Sequence, residues 1–186
     1  RNGADVNTRQ DPRKHDGSGW GLLHHAAVYV NVERLSWATA RGAIVDVASE
    51  SGQTPLMVAA RSKAPNAVQH FLEYRANVFR TDSQGWTALH YAAAAGADQC
   101  AALLLRAGAD QTVRTTTDLF QTAADVAQGA GHTDTAWLIT LYAEPQLALA
   151  DIFRVLGGDD DDDHVQEPRR ARRRSSLLRR SFAEEH

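Results

Sequence analysis

The side chains of this sequence that most suggest chemistry are three of its eight histidines, His24, His25 and His90, and its single cysteine, Cys100. Imidazole and thiolate groups bind zinc, and imidazole also serves as a general base near neutral pH. No partner cysteine or histidine stands at zinc spacing, and Cys100 lies in an alanine-rich run typical of a small buried side chain. Because no nucleophile elbow, phosphate loop or dinucleotide fingerprint is present either, the sequence predicts no metal, no cofactor and no enzyme activity.

A second chemical signal lies in residues 157–186, which carry five consecutive aspartates and seven arginines although the whole chain has a net charge of only −3. Polar, block-charged composition of this kind predicts a disordered tail. Ser175 and Ser176 stand in the context of a basophilic kinase site, where phosphate would add about −1.5 to −2 charges. The preceding arginines resemble a nuclear import signal, and they also suit anionic lipid, nucleic acid or a solvated tail without a partner. They are Arg169, Arg170, Arg172, Arg173 and Arg174.

The elements that must position these side chains recur along the chain. Glycines open three similar stretches, GWGLLHHAA at Gly19, GQTPLMVAA at Gly52 and GWTALHYAA at Gly85, and the two steps between them are both 33 residues. A fixed period of this length indicates a stacked repeat. A fourth stretch follows after 35 residues, with Phe120 in place of the opening glycine and two residues inserted before it.

Apolar residues also recur at matching positions in these stretches. Each contains a pair of alanines, and Leu23, Leu56 and Leu89 stand three positions before the first alanine, on the same helix face. One such unit alone would expose this face, so we expect its stability to come from contacts with its neighbours. The helix exits use glycine except at Arg75, which predicts a strained or differently turned exit there.

The period, the Thr54-Pro55-Leu56 triplet and the TALHYAA run of residues 87–93 together resemble the ankyrin repeat. The resemblance covers residues 1–142. It implies an all-α fold in which antiparallel helix pairs, joined by β-turn fingers, stack into a curved solenoid. It also implies that His24 and His90 form local hydrogen bonds that hold the turn, and that the protein binds proteins rather than catalysing a reaction.

The spacing divides the chain into a repeat array, residues 1–156, and the tail, residues 157–186. Residues 1–18 are the end of a truncated repeat and an inserted loop, and the repeats are 19–51, 52–84, 85–119 and 120–144. Residues 145–156 form either a capping helix over the open end of the stack or a weakly ordered segment. Helices are expected at 22–29, 32–41, 66–74 and 133–142, and the apolar positions of the second of these are Leu35, Trp37 and Ala38.

The resemblance also selects residues for a concave groove. Trp20 and Trp86 follow opening glycines at the base of two fingers, where they either cover the neighbouring unit or anchor a partner, since interface energy concentrates in Trp, Tyr and Arg. The third unit offers only Ala94 and Ala95, and a groove with such flat stretches suits an extended peptide or a helix. The same matching adds Tyr29, Gln53, Arg61, Ser62, Phe79, Thr81 and Ser83.

These observations predict an intracellular protein–protein interaction scaffold, cytoplasmic or nuclear, that is a monomer. The alternative is a regulatory or targeting segment of a larger enzyme or channel whose catalytic part is absent from the chain. The expected partner is a protein, with an import receptor or a kinase acting on the tail, and nucleic acid binding is not expected. No apolar run is long enough for a membrane span, and the single cysteine cannot form an internal disulfide, which favours a reducing compartment.

Overall fold

The computed structural model describes residues 19–29 and 31–142, and these residues form eight α-helices without a strand. Each of the four predicted repeats contains two of the helices, which confirms the all-α helical repeat fold. The expected helices differ from the observed ones by no more than one residue at either end. The helices are α1 (Leu22–Val28), α2 (Val32–Ala40), α3 (Pro55–Arg61), α4 (Pro65–Glu73), α5 (Ala88–Ala95), α6 (Asp98–Arg106), α7 (Ala123–Gly129) and α8 (Thr133–Tyr142).

The helices begin where the sequence supplies capping residues. Thr54 and Thr122 precede α3 and α7, and each hydroxyl accepts a hydrogen bond from the backbone N–H three residues later. Pro55 and Pro65 occupy the first positions of α3 and α4, where the missing N–H costs nothing and the ring fixes a helical φ. Gly21 precedes α1 and offers no hydroxyl.

The helices pack in two rows. The first helices of the units, α1, α3, α5 and α7, contact one another in order, and the second helices, α2, α4, α6 and α8, do the same. Leu23, Leu56 and Leu89 are buried between the rows, together with the alanines that follow them. The small side chains let neighbouring helices approach closely, so the core is shared between units, as the sequence predicts.

Three turns connect the units and correspond to the predicted fingers. Each turn is closed by a backbone hydrogen bond of 2.8–3.0 Å, and the third encloses two more residues than the others because of the insertion before Phe120. The fingers are also joined to each other through the backbone, from Ser83 N to Ser51 O at 3.0 Å and from Thr116 N to Gln84 O at 2.9 Å. The closing pairs are Ser49 with Gln53, Asp82 with Trp86, and Thr115 with Gln121.

The strain predicted at Arg75 is present, and Phe120, which takes the place of an opening glycine, has a backbone of the same kind. Arg75 has a φ of +59° and Phe120 a φ of +43°, whereas Gly85 at the matching opening position has +75°. A side chain in this left-handed region costs roughly 1–2 kcal/mol because its Cβ crowds the following carbonyl. The repeat therefore imposes its backbone even where the sequence lacks glycine.

The assignment of Trp37 as an apolar position of α2 is wrong. Leu35 and Ala38 are buried, but 47% of the surface of Trp37 is exposed and the Arg41 guanidinium lies 4.1 Å from its ring centroid. The predicted insertion in residues 1–18, the capping helix at 145–156 and the tail with its arginines and Ser175 and Ser176 lie outside the described residues.

Candidate protein-binding surface

His24 and His90 each join the start of one helix to the next unit. The backbone N–H of Gly21 donates to His24 Nδ1 at 3.1 Å, and that of Thr87 donates to His90 Nδ1 at 3.3 Å. On the other side of the ring, Nε2 lies 3.0 Å from Gln53 O for His24 and 3.3 Å from Gln121 O for His90. A bare Nδ1 and a protonated Nε2 satisfy both contacts, so each ring is a neutral linker with both nitrogens engaged.

Burial lowers the pKa of His90, which keeps this ring neutral and agrees with its hydrogen bonds. The local role that the ankyrin resemblance implies for His24 and His90 is therefore confirmed. Within the described part of the chain, no group of three or more histidine, cysteine or carboxylate side chains is placed to hold a metal ion.

Cys100 has the environment of a core residue. Its side chain is buried in α6, and burial raises the pKa of the thiol to about 11. Only the thiolate is a strong nucleophile, so this thiol is unreactive near neutral pH. The prediction that Cys100 is a small buried hydrophobe is confirmed.

The position that His24 and His90 occupy in the first and third units is taken by Met57 in the second unit and Asp125 in the fourth. Met57 Sδ accepts from Thr54 N at 3.4 Å, and Asp125 Oδ2 accepts from Thr122 N at 2.9 Å. Both therefore hold the start of their own helix as the histidines do. A thioether and a carboxylate have no proton to donate, however, so neither can bond a carbonyl of the next unit.

The side chains that converge on one surface come from three successive units. The Arg61 guanidinium lies 5.8 Å from the ring centroid of Trp20 in the first unit and 5.9 Å from that of Tyr91 in the third. Trp86 continues the series, with its ring centroid 5.2 Å from that of Tyr91. We call Trp20, Arg61, Tyr91 and Trp86 the aromatic strip. His25 packs edge-on against its first member at 5.5 Å.

A buried polar network holds Tyr91 and the backbone of Trp86 in position. The Tyr91 hydroxyl donates to Asp82 Oδ2 at 2.6 Å and accepts from Gln53 Nε2 at 2.7 Å. The other carboxylate oxygen of Asp82 accepts from the backbone N–H groups of Gln84 and Trp86, both at 2.9 Å. Tyr91 and Asp82 are only 8% and 9% exposed. Burial, reinforced by the hydrogen bond to Asp82, raises the pKa of Tyr91, so its hydroxyl stays protonated.

The structure brings together some of the sequence-predicted site residues and not others. Trp20, Arg61 and Trp86 lie in the aromatic strip, and Gln53 lies in the network that supports it. The rest are elsewhere on the surface. Ser62 ends α3, Tyr29 and Phe79 are 73% and 63% exposed, and Thr81 and Ser83 are exposed at the second finger.

Sequence reasoning missed Tyr91. The sequence assigns only Ala94 and Ala95 of α5 to the groove, yet Tyr91 of the same helix is the residue that connects Arg61 to Trp86. The signal was present in the period, because Tyr91 stands 33 residues after Val58 and 66 after His25. It therefore shares its position with His25, which contacts Trp20 in the first unit as Tyr91 contacts Trp86 in the third.

A stack of helix pairs in which the first and second helices of each unit pack on their counterparts in the next unit is the architecture of a helical repeat protein. The family model for ankyrin repeats in three copies matches residues 2–82, 23–115 and 66–146. The chain belongs to the ankyrin repeat family, whose repeats mediate protein–protein interaction and are non-catalytic. None of the helices in the described residues is long and apolar enough to cross a membrane.

This chain is also similar to curated proteins over part of its length. It is 39% identical over 114 residues to the probable E3 ubiquitin-protein ligase XBOS34 of Oryza sativa subsp. japonica, covering 60% of this chain and 22% of the relative. It is 35% identical over 120 residues to the putative palmitoyltransferase ZDHHC13 of Danio rerio, covering 63% and 18%. It is 32% identical over 114 residues to neurogenic locus notch homolog protein 2 of Homo sapiens, covering 60% and 4%. The chain thus spans about a fifth or less of these relatives.

Proposed function

We propose that this chain is a non-catalytic scaffold that binds a protein partner along its fingers and first helices. The observation that carries the proposal is Arg61, held between aromatic rings from the first and third units. The few residues that dominate the energy of protein interfaces are enriched in arginine, tryptophan and tyrosine. Because Arg61 and Tyr91 stand on packed helices, and Tyr91 and the Trp86 backbone are held by hydrogen bonds to Asp82, this part of the surface has little conformational freedom to lose on binding.

The test is affinity capture by the purified chain, comparing variants of the aromatic strip with a variant on the other helix row. Trp20→Ala combined with Trp86→Ala should abolish capture of a partner while helical content, measured by circular dichroism, stays the same. Trp37→Ala is the matched control, because it removes an equally large aromatic side chain from α2. A partner that is retained by the double variant and lost by the control would contradict the proposal.

A second candidate is a regulatory or targeting segment within a larger enzyme or channel. It is favoured by the names of two relatives, a ubiquitin-protein ligase and a palmitoyltransferase, of which the match covers 22% and 18%. In this case the aromatic strip would recruit a substrate or regulator to a catalytic region elsewhere in the gene product. Sequencing the full-length transcript and assaying its product separates the two candidates, since a reading frame without a catalytic region leaves only the scaffold.

We also propose an intracellular location, cytoplasmic or nuclear, and a monomeric state. The arginines from Arg169 to Arg174 would engage an import receptor, and phosphate on Ser175 and Ser176 would weaken that contact by adding negative charge beside them. A fluorescent fusion should lose nuclear signal when residues 168–180 are deleted or when both serines are replaced by glutamate. Unchanged localisation would contradict the targeting role, and sedimentation equilibrium tests the monomer.

A further inference from the structure

We propose that Arg61 binds one carboxylate of the partner, so that the segment docking on the aromatic strip carries an aspartate or glutamate beside a large apolar residue. The inference rests on the proposed function and adds the chemistry of the partner to it.

The first argument is the way Arg61 is held. Its guanidinium lies 5.8 Å and 5.9 Å from two ring centroids, at the last turn of α3. Attraction between a cation and an aromatic face does not consume N–H groups. Among the described residues, no acceptor takes a hydrogen bond from this guanidinium. The rings therefore restrain a planar fork of donors while leaving its hydrogen bonds to a ligand, and such a fork matches the two oxygens of a carboxylate.

The second argument is the local charge. Asp82 lies beneath Tyr91, and its two oxygens already accept three hydrogen bonds, so it has no need of Arg61 as a partner. Its buried negative charge nevertheless offsets part of the positive potential at the surface. A site in which one exposed cation and one buried anion both contact Tyr91 suits a ligand with a single negative charge. A phosphate dianion would meet greater repulsion from Asp82.

The third argument is what lies beside Arg61. Tyr91 separates it from Trp86, whose indole is partly buried against the core and partly accessible. A partner segment that places its carboxylate on Arg61 therefore has an aromatic wall next to it. Apolar contact with these rings would keep water away from the ion pair and strengthen it. The residues around interface hot spots exclude water in the same way.

The probe is a phage library of random 12-residue peptides selected on the full chain. We expect the selected peptides to contain aspartate or glutamate with a large apolar neighbour. For a synthetic peptide from the selection, Arg61→Gln should raise Kd by about tenfold or more, since a bidentate charged pair is among the stronger polar contacts. Arg61→Lys should restore only part of the affinity because lysine lacks the planar fork.

Arg41→Gln is the matched control, because Arg41 also stacks on a tryptophan but belongs to the second-helix row. It should leave Kd unchanged. Replacing the aspartate or glutamate of the peptide with its amide should cost as much as Arg61→Gln, and combining the two changes should add nothing further.

The outcomes separate this inference from the proposed function. Binding that depends on Trp86 and Arg61 but survives amidation of every acidic residue overturns the carboxylate inference alone. A peptide that binds more tightly when its acidic residue is replaced by phosphoserine also overturns it, in favour of a phosphopeptide. Binding that is insensitive to both Trp86→Ala and Arg61→Gln overturns the proposed function as well.

Discussion

The junction between the first and second units is built differently from the junction between the second and third. In the first junction, His24 links a helix start to the Gln53 carbonyl of the next unit at 3.0 Å. Met57 takes the same position in the second junction and cannot donate such a bond. There the polar link is instead the Gln53–Tyr91–Asp82 network beneath the aromatic strip. The comparison shows that the side chains that join the second and third units are the same ones that support the aromatic strip.

The largest effect should come from breaking the leucine column that both junctions share. Leu89 is buried in α5, which contacts both α3 and α7. Leu89→Ala should lower the free energy of unfolding by about 2–5 kcal/mol, through lost burial and the cavity left behind. Urea denaturation measures this, and the partly buried Leu103 provides a control whose truncation should cost less. A loss at Leu89 no greater than at Leu103 would refute the shared column.

The next effect should be specific to the second junction. Tyr91→Phe keeps the ring beside Arg61 but removes the hydroxyl that joins Asp82 to Gln53. We expect a loss of about 1–3 kcal/mol, because buried polar groups are left without a partner. Tyr29→Phe, at a residue 73% exposed, should change the unfolding free energy little. Equal behaviour of the two variants in urea would show that the network does not join the units.

A third variant concerns the junction between the third and fourth units, where His90 bonds the Gln121 carbonyl, and gives it the methionine found at the second junction. His90→Met should keep an acceptor for Thr87 N, as Met57 provides for Thr54 N, but should lose the bond to Gln121 O. The expected loss is about 0.5–1.5 kcal/mol, the usual net value of one hydrogen bond. Hydrogen exchange at α7 would locate the weakened junction. Unchanged exchange there would mean that His90 only holds its own helix.

The reverse change sharpens the comparison further. Met57→His offers an Nε2–H toward the finger carbonyl of Trp86, which already accepts from Asp82 N and has a second lone pair. We expect a gain of up to about 1 kcal/mol in the free energy of unfolding. Thermal melts of the variant and the parent chain decide the matter. A marked loss would show that the second junction is packed for a thioether.

The smallest effect should be a pH dependence that comes from the buried histidines His90 and His70. Burial lowers the pKa of both His90 and His70 from 6.5. Below about pH 6.5 the unfolded chain therefore binds protons that the folded chain does not, so stability falls as the pH falls and is fully present above this value. The melting temperature of His90→Met should depend less steeply on pH between 5 and 7, because the contribution of His90 is removed. Identical slopes would exclude His90 as a contributor.

The sequence predicts the helices and the column well because both depend on spacing alone. A 33-residue period fixes which residues of one unit meet their counterparts in the next, as with Leu56 and Leu89. The period does not say which residues at different positions of the repeat contact each other in neighbouring units. For this reason the sequence predicts Arg61 as a groove residue but does not predict Tyr91, which lies next to it in the structure. Trp37 was misplaced for a local reason: successive residues of a helix are about 100° apart, so Leu35 and Ala38 share a face that excludes Trp37.

The links between fingers have a consequence for how this protein can diverge. They run between backbone atoms, from Ser83 to Ser51 and from Thr116 to Gln84, and so they do not depend on which side chains the finger tips carry. Mutation at the tips can therefore change the choice of partner while the scaffold is inherited intact. Gly85 cannot be replaced in the same way, because a Cβ there would lie 2.8 Å from Thr116 N.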